Sequence, residues 1–245
     1  MTILFDNYHA EKHLKSSWQQ EALLSFHTKL ADQQSQFPCI PATVGHRLNQ
    51  FRFGFAADPT TEDAAKQLAD FLYTYGQQAK ELGSYTSLII FFDTTKQQEL
   101  HLNVPAYFDI FWNLLSKTSA HDPKSWPIDI PRSPEDALWE YCFGGEQYFM
   151  YCATPAHSNK KSRNSPCMLL AITPRWVLEA FESKPKAAAG IKQKIRERIL
   201  KYDSSDIHPD LNAYGNKDNF EWKQYFLHDD NSSPSKCPFH RRKQD

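Results

Sequence analysis

Trp139 to Asn164 reads WEYCFGGEQYFMYCATPAHSNKKSRN. Inside it, Gln147 to Thr154 is an apolar run of strand length that ends at Pro155. His157 follows at once, and a polar loop then carries Lys160, Lys161 and Arg163. Met168 to Thr173 is a second apolar run of strand length, so this loop joins two neighbouring strands.

Outward from that pair the elements alternate without a strict strand–helix–strand rhythm. Thr86 to Phe92, TSLIIFF, is a continuous apolar run and reads as a central strand. Phe51 to Ala56 alternates, with Phe51, Phe53 and Phe55 on one face. Helical spacing predicts helices over Glu11 to Gln33, over Gln97 to Ser116, and from Thr60 and Asp63 through Ala64, Leu68, Phe71, Leu72 and Tyr75. Ser133-Pro134-Glu135-Asp136 has the cap, proline and acids of a short helix start. From Arg175 the pattern is helical, is interrupted by Pro185, and resumes through Ile191, Ile195 and Ile199. Residues 205–245 are loop-rich and read as an ordered cover, with Tyr214-Gly215-Asn216 as punctuation and a fraying end after His240. No glycine-rich phosphate loop follows a strand, and the chain holds eight Gly, which argues against a nucleotide-binding doubly wound fold. The expected fold class is α+β: one domain over 1–245, with a mixed, mainly antiparallel central sheet flanked by helices.

Composition narrows the function classes. At 245 residues the chain buries a sizeable core, and an aromatic share of 14% with six Trp points to one built from large flat side chains. The net charge of -1 lacks the basic field that non-specific nucleic-acid binding needs. No apolar run approaches the roughly 18–20 residues that span a bilayer. The start, MTILFDNYHAEKHLK, lacks the features of a signal peptide, so a cytoplasmic location is expected. Five scattered Cys fit reduced thiols better than a disulfide framework.

Few residues announce chemistry by type and spacing. His157, at the mouth of a buried strand, is open to two readings: a loop His bonded to a carbonyl, or an axial ligand with cations beside it. Gly144-Gly145 precedes Glu146, which either faces solvent or points into a pocket toward a cationic substrate. Cys39 follows Phe37-Pro38. It reads as a small buried hydrophobe, as a nucleophile with His46 as base, or as a thiolate ligand, with no spacing that sets it above His157. Glu221 to Leu227, EWKQYFL, leads to His228-Asp229-Asp230-Asn231, whose acids read as a cap or as ligands of a hard cation. Cys237-Pro238-Phe239-His240 lacks the two further ligands of a structural zinc site.

Taken together, FPC at 37–39, GE at 145–146, TPAHSNKKSRN at 154–164, HPDLNAYGNKDNFEWKQYFLHDDN at 208–231 and CPF at 237–239 resemble the YqcI/YcgG family of bacterial proteins. The resemblance covers nearly the whole chain. It implies a haem-dependent oxygenase, a monooxygenase that N-hydroxylates the guanidino group of arginine or a related small molecule and takes electrons from a donor. Under that resemblance haem b is the cofactor and His157 the proximal iron ligand. Arg163, with Lys160 or Lys161, holds the propionates, and Phe53, Phe149, Trp222 and Tyr225 sandwich the porphyrin. Glu146, Glu221 or Asp229 is the carboxylate that pairs with the substrate guanidinium, as fork geometry requires. A non-catalytic haem- or small-molecule-binding protein is the alternative, and a homo-oligomer stays open.

Overall fold

The computed structural model describes residues 3–14, 16–203, 205–212 and 219–240; Tyr214-Gly215-Asn216 and the tail after His240 lie outside them. A 3-10 turn at Ala10–His13 leads into α1, Ser17–Ala31. The helix begins later than periodicity predicts because Ser16 and Gln19 form a capping box that takes up its first amides. Next come α2 (Ile40–Arg47), β1 (Phe51–Ala56) and α3 (Glu62–Leu82). The Thr61 hydroxyl caps α3 by accepting from the Ala64 amide at 3.2 Å. β2 covers Ser87–Phe92.

The single helix expected over 97–116 is two: α4 (Thr95–Glu99) and α5 (Val104–Ser119). His101 turns the chain at φ 50, Asn103 accepts from the Ala106 amide at 3.0 Å, and Pro105 starts the second helix. The short helix expected at Ser133 is instead a turn, with the Ser133 hydroxyl accepting from the Glu135 amide at 3.3 Å. β3 (Tyr141–Phe143) and β4 (Glu146–Ala153) form a hairpin through Gly144 and Gly145, at φ 62 and 83. β5 (Leu169–Pro174), α6 (Arg175–Glu182), α7 (Pro185–Tyr202) and the short α8 (Trp222–Tyr225) complete the order.

The strands assemble as β1-β2-β5-β4-β3. β1 and β2 run parallel, with α3 as their crossover, and every other pair is antiparallel. The sheet is thus mixed and mainly antiparallel, the fold α+β. One face carries Leu88, Ile90, Met150, Cys152 and Ile172 against Tyr75, Phe111 and Trp112 of α3 and α5. Each such side chain stabilises the fold by about 1.5–3 kcal/mol when fully buried. The other face carries Phe51, Phe53, Ile89, Phe91 and Leu169, with Ala22, Leu23 and Leu30 of α1. The Phe26 ring meets those of Phe53 and Phe91 edge-on at 5.7 and 5.9 Å.

β3 pairs with only the first residues of β4. From the last of these pairs the C-terminal segment takes over the β4 edge: the Tyr225 hydroxyl donates to the Tyr148 carbonyl at 3.1 Å and accepts from the Tyr141 amide at 3.3 Å. An uncovered edge would be a template for association with other strands. Among the described residues no helix is long and apolar enough to cross a membrane.

Candidate functional site

Two polar regions on this framework merit comparison, and the first is the loop after β4. His157 is buried, with 1% of its surface exposed. Its Nε2–H donates to the Leu227 carbonyl at 2.9 Å, which leaves Nδ1 to accept from the Thr154 hydroxyl at 2.9 Å. Burial lowers its pKa to about 4, helped by the Arg163 and His228 charges, so the ring is neutral at pH 7. Arg163 is buried as well. Its guanidinium donates to the carbonyls of Cys152 (3.1 Å), Tyr225 (3.0 Å) and Gln224 (2.9 Å) and lies 4.0 Å over the Tyr151 ring. Asp229 accepts from the amides of Ser158, Asn159 and Lys160 at 2.8, 3.0 and 2.9 Å. Burial alone would raise its pKa, but those donors hold it below the ordinary value. The Lys160 Nζ donates to the Asp206 carbonyl at 3.2 Å, while the Lys161 side chain is exposed. The sequence-predicted His157, Lys160, Arg163 and Asp229 are therefore brought together, with their polar atoms directed mainly at backbone and, at His157 Nδ1, at the Thr154 hydroxyl.

The second region is a cleft of about 750 Å³ on the α1 side of the sheet. Cys39, Pro41 and Ala42 at the start of α2 form one wall; Ser87, Phe149 and Thr173 form the sheet floor. Arg175, Leu178 and Glu182 of α6, Lys192, Ile195 and Arg196 of α7, and Glu221 close it. A chamber of about 170 Å³ adjoins it, and Cys39, Ala42, Ser87, Phe149, Thr173 and Leu178 border both. Burial raises the Cys39 thiol, opposed by the Ala42 amide and the Arg163 charge.

Two members of a buried ionic triad, Arg175 and Glu221, stand in the cleft wall, with Glu140 behind them. Arg175 Nε meets Glu140 Oε2 at 2.6 Å, and its Nη2 bonds Glu221 Oε1. Burial pushes Glu221 up to about 7 against the pull of Arg175, and Glu140 adds repulsion. Two carboxylates thus share one guanidinium out of water.

Other sequence-predicted residues are dispersed. Glu146 opens β4, so eight residues of strand, about 25 Å of extended chain, separate it from the His157 loop. Trp222 packs against Trp112 at 6.1 Å on the other side of the sheet, and its Nε1–H donates to the Pro134 carbonyl at 3.1 Å. Phe53 is core against Phe26 and Phe91. Phe149 lines the cleft and meets Tyr225 edge-on at 5.4 Å. His46 does not face Cys39: about 10 Å of helix lies between them, and its Nε2 is 2.7 Å from His27 Nδ1. Among the described residues no group of three or more His, Cys, Asp or Glu is placed to hold a metal ion.

Sequence reasoning missed Glu140 and Arg175. The signal was a charged residue set against an apolar run, at Trp139-Glu140 and at Pro174-Arg175, since a charge buried there needs a partner.

The profile of the YqcI/YcgG family matches residues 26–240. The uncharacterized protein YqcI of Bacillus subtilis is 41% identical over 245 residues, 99% of this chain and 96% of that protein. The uncharacterized protein YcgG of the same organism is 42% identical over 222 residues, 91% of this chain and 88% of that one. A protein of Streptomyces lavendulae named putative N(omega)-hydroxy-L-arginine synthase DcsA is 26% identical over 231 residues, 91% of this chain and 84% of that one. No solved structure matches.

Proposed function

The chain belongs to the YqcI/YcgG family, and from that premise we propose that it N-hydroxylates the guanidino group of arginine or a related small molecule, with haem b bound in the cleft at Cys39. The reaction class comes from the name of the Streptomyces relative. The observation that carries the reading is a buried carboxylate in the cleft wall: Glu221, bonded to Arg175 and raised to about 7 by burial. A guanidinium entering the cleft beside Glu221 adds a positive charge and favours its ionised form. A cleft of this size falls within the roughly 300–1,000 Å³ range of small-molecule sites.

The residues around His157 do not fit a haem. Both ring nitrogens are bonded within the protein, and Arg163 is directed at three carbonyls rather than outward. Iron ligation there would break the bond to Leu227 or that to Thr154. The cleft fits better. Cys39 offers a thiol at its inner edge, Phe149, Leu178 and Ile195 offer apolar wall, and Lys192, paired with Glu182 at 2.5 Å, and Arg196, which donates to the Leu211 carbonyl at 2.9 Å, are the cations that propionates would compete for. When bound, haem supplies the activation of dioxygen with electrons from a separate donor. The protein's own part is to exclude water, hold the guanidinium against Glu221, and keep Arg175 as that carboxylate's fixed neighbour.

The test is a hemin titration of the purified protein read in the Soret region, followed by arginine turnover with an electron donor. A Soret band that Cys39→Ala shifts or removes is expected, with a product heavier than arginine by one oxygen. No band in the wild type, or a band indifferent to Cys39→Ala, overturns the assignment of haem to this cleft. Haem binding without turnover of any guanidine favours a binding protein instead.

A further inference from the structure

The inner chamber differs in chemistry from the cleft it adjoins. Its walls are apolar and largely aromatic: Phe26, Phe37, Phe51, Ile89 and Tyr151. Among the described residues that line it there is no carboxylate, whereas Glu179, Glu182 and Glu221 line the cleft. One charged side chain lines the chamber, Lys29 of α1, with Ser162, Asn164 and Ser165. The Lys29 Nζ donates to the Lys161 carbonyl at 3.3 Å and to the Asn164 carbonyl. An ammonium has three donors, so the third N–H and the full charge have no carboxylate within ion-pair distance among the described residues. Burial lowers its pKa to about 8, against the pull of the more distant Asp203. A cation taken partly out of water and held only by carbonyls costs stability unless an anion arrives to share the site.

We propose that Lys29 is a carboxylate anchor: a ligand with an apolar body fills the chamber from the cleft and ends with its carboxylate on the Lys29 ammonium, beside Ser162 and Asn164. The carboxylate end of the ligand lies inward and any guanidinium at its far end lies in the cleft, where the glutamates are. Two sources carry that carboxylate, an amino-acid substrate or the propionate of a porphyrin. The inference rests on the proposed function only for this choice of probes.

Four probes in two pairs separate the sources. L-Arginine and agmatine, which lacks the carboxylate, are titrated calorimetrically into haem-free protein. Hemin and its dimethyl ester are titrated by Soret absorbance. The wild type is expected to prefer the free acid in one pair. Lys29→Met should weaken that acid about tenfold or more, leave its carboxylate-free analogue unchanged, and be restored by Lys29→Arg. Lys29→Gln serves as the loss variant if Met disturbs α1. The wild-type preference within each pair needs no variant at all. Equal binding of both members of both pairs by the wild type overturns the anchor, as does equal loss of both members in the variants or failure of arginine and hemin alike to bind. Discrimination of arginine through Lys29 in a protein that takes up no hemin keeps the anchor and overturns the haem reading. Hemin and its ester binding alike, with no arginine discrimination, does the reverse.

Discussion

The His157 loop and the Cys39 cleft both bury charge, and they treat it in opposite ways. In the loop, Arg163, His157 and Asp229 have their donors and acceptors matched, mainly by backbone groups of β4, the loop and the C-terminal segment and, at His157 Nδ1, by the Thr154 hydroxyl. In the cleft, burial raises Glu221 to about 7 despite its bond to Arg175, and in the adjoining chamber Lys29 has carbonyls where a carboxylate would suit it better. A satisfied buried network stabilises one arrangement of the chain. An unbalanced one leaves free energy that a ligand of the right charge can recover. The distinction lies in the balance of partners, since residue type alone makes the loop look the richer site.

The strongest way to break the comparison is Arg163→Met. It leaves the carbonyls of Cys152, Gln224 and Tyr225 without their shared donor. A loss of about 3–5 kcal/mol in chemical denaturation is expected. If the variant unfolds like the wild type, the loop is no clamp. His157→Gln removes the bonds to Leu227 and Thr154 in their present geometry and should cost about 2–3 kcal/mol. Its Soret spectrum with hemin should match the wild type. A lost band would return the iron to His157 and reverse the roles of the two regions.

The smallest effect concerns Glu221. Its folded pKa, about 7, lies above the ordinary carboxylate value, so the folded chain binds this proton more tightly than the unfolded one. The contribution therefore stabilises the fold as pH falls through about 7 and is lost as pH rises through it. Thermal melts between pH 8 and 5.5 should show a gain of about 1–2 kcal/mol toward acid, and Glu221→Gln should flatten that slope. A slope unchanged by Gln removes Glu221 from the account.

Much of the fold was legible because its elements depend on short-range pattern. The alternation in Phe51–Ala56 and the apolar runs ending at Phe92 and Thr154 set strands to within a residue or two. The break between α4 and α5 was missed, although Asn103 and Pro105 mark it, because an apolar stripe runs through the helix that follows. The cleft was harder to read. Glu221 stood out in sequence, yet its partner Arg175 lies 46 residues away, and Glu140 a further 35. Lys29 looked like the polar face of an amphipathic helix. What sets it apart is the chamber formed with β4 and its loop, over a hundred residues later. His157 was noticed for its position, but only the distant Leu227 carbonyl reveals what it does.

The cover on the β4 edge also sets an order of events during synthesis. Translation delivers chain at roughly 5–20 residues per second, N-terminus first. Residues 146–153 leave the ribosome well before Gln224, Tyr225, Leu227 and Asp229, which close that edge and its loop. For several seconds the nascent sheet has its β1–β2–β5–β4 core and an open flank. That interval is the chain's exposure to neighbouring nascent chains, and its length is set by the ribosome rather than by the fold.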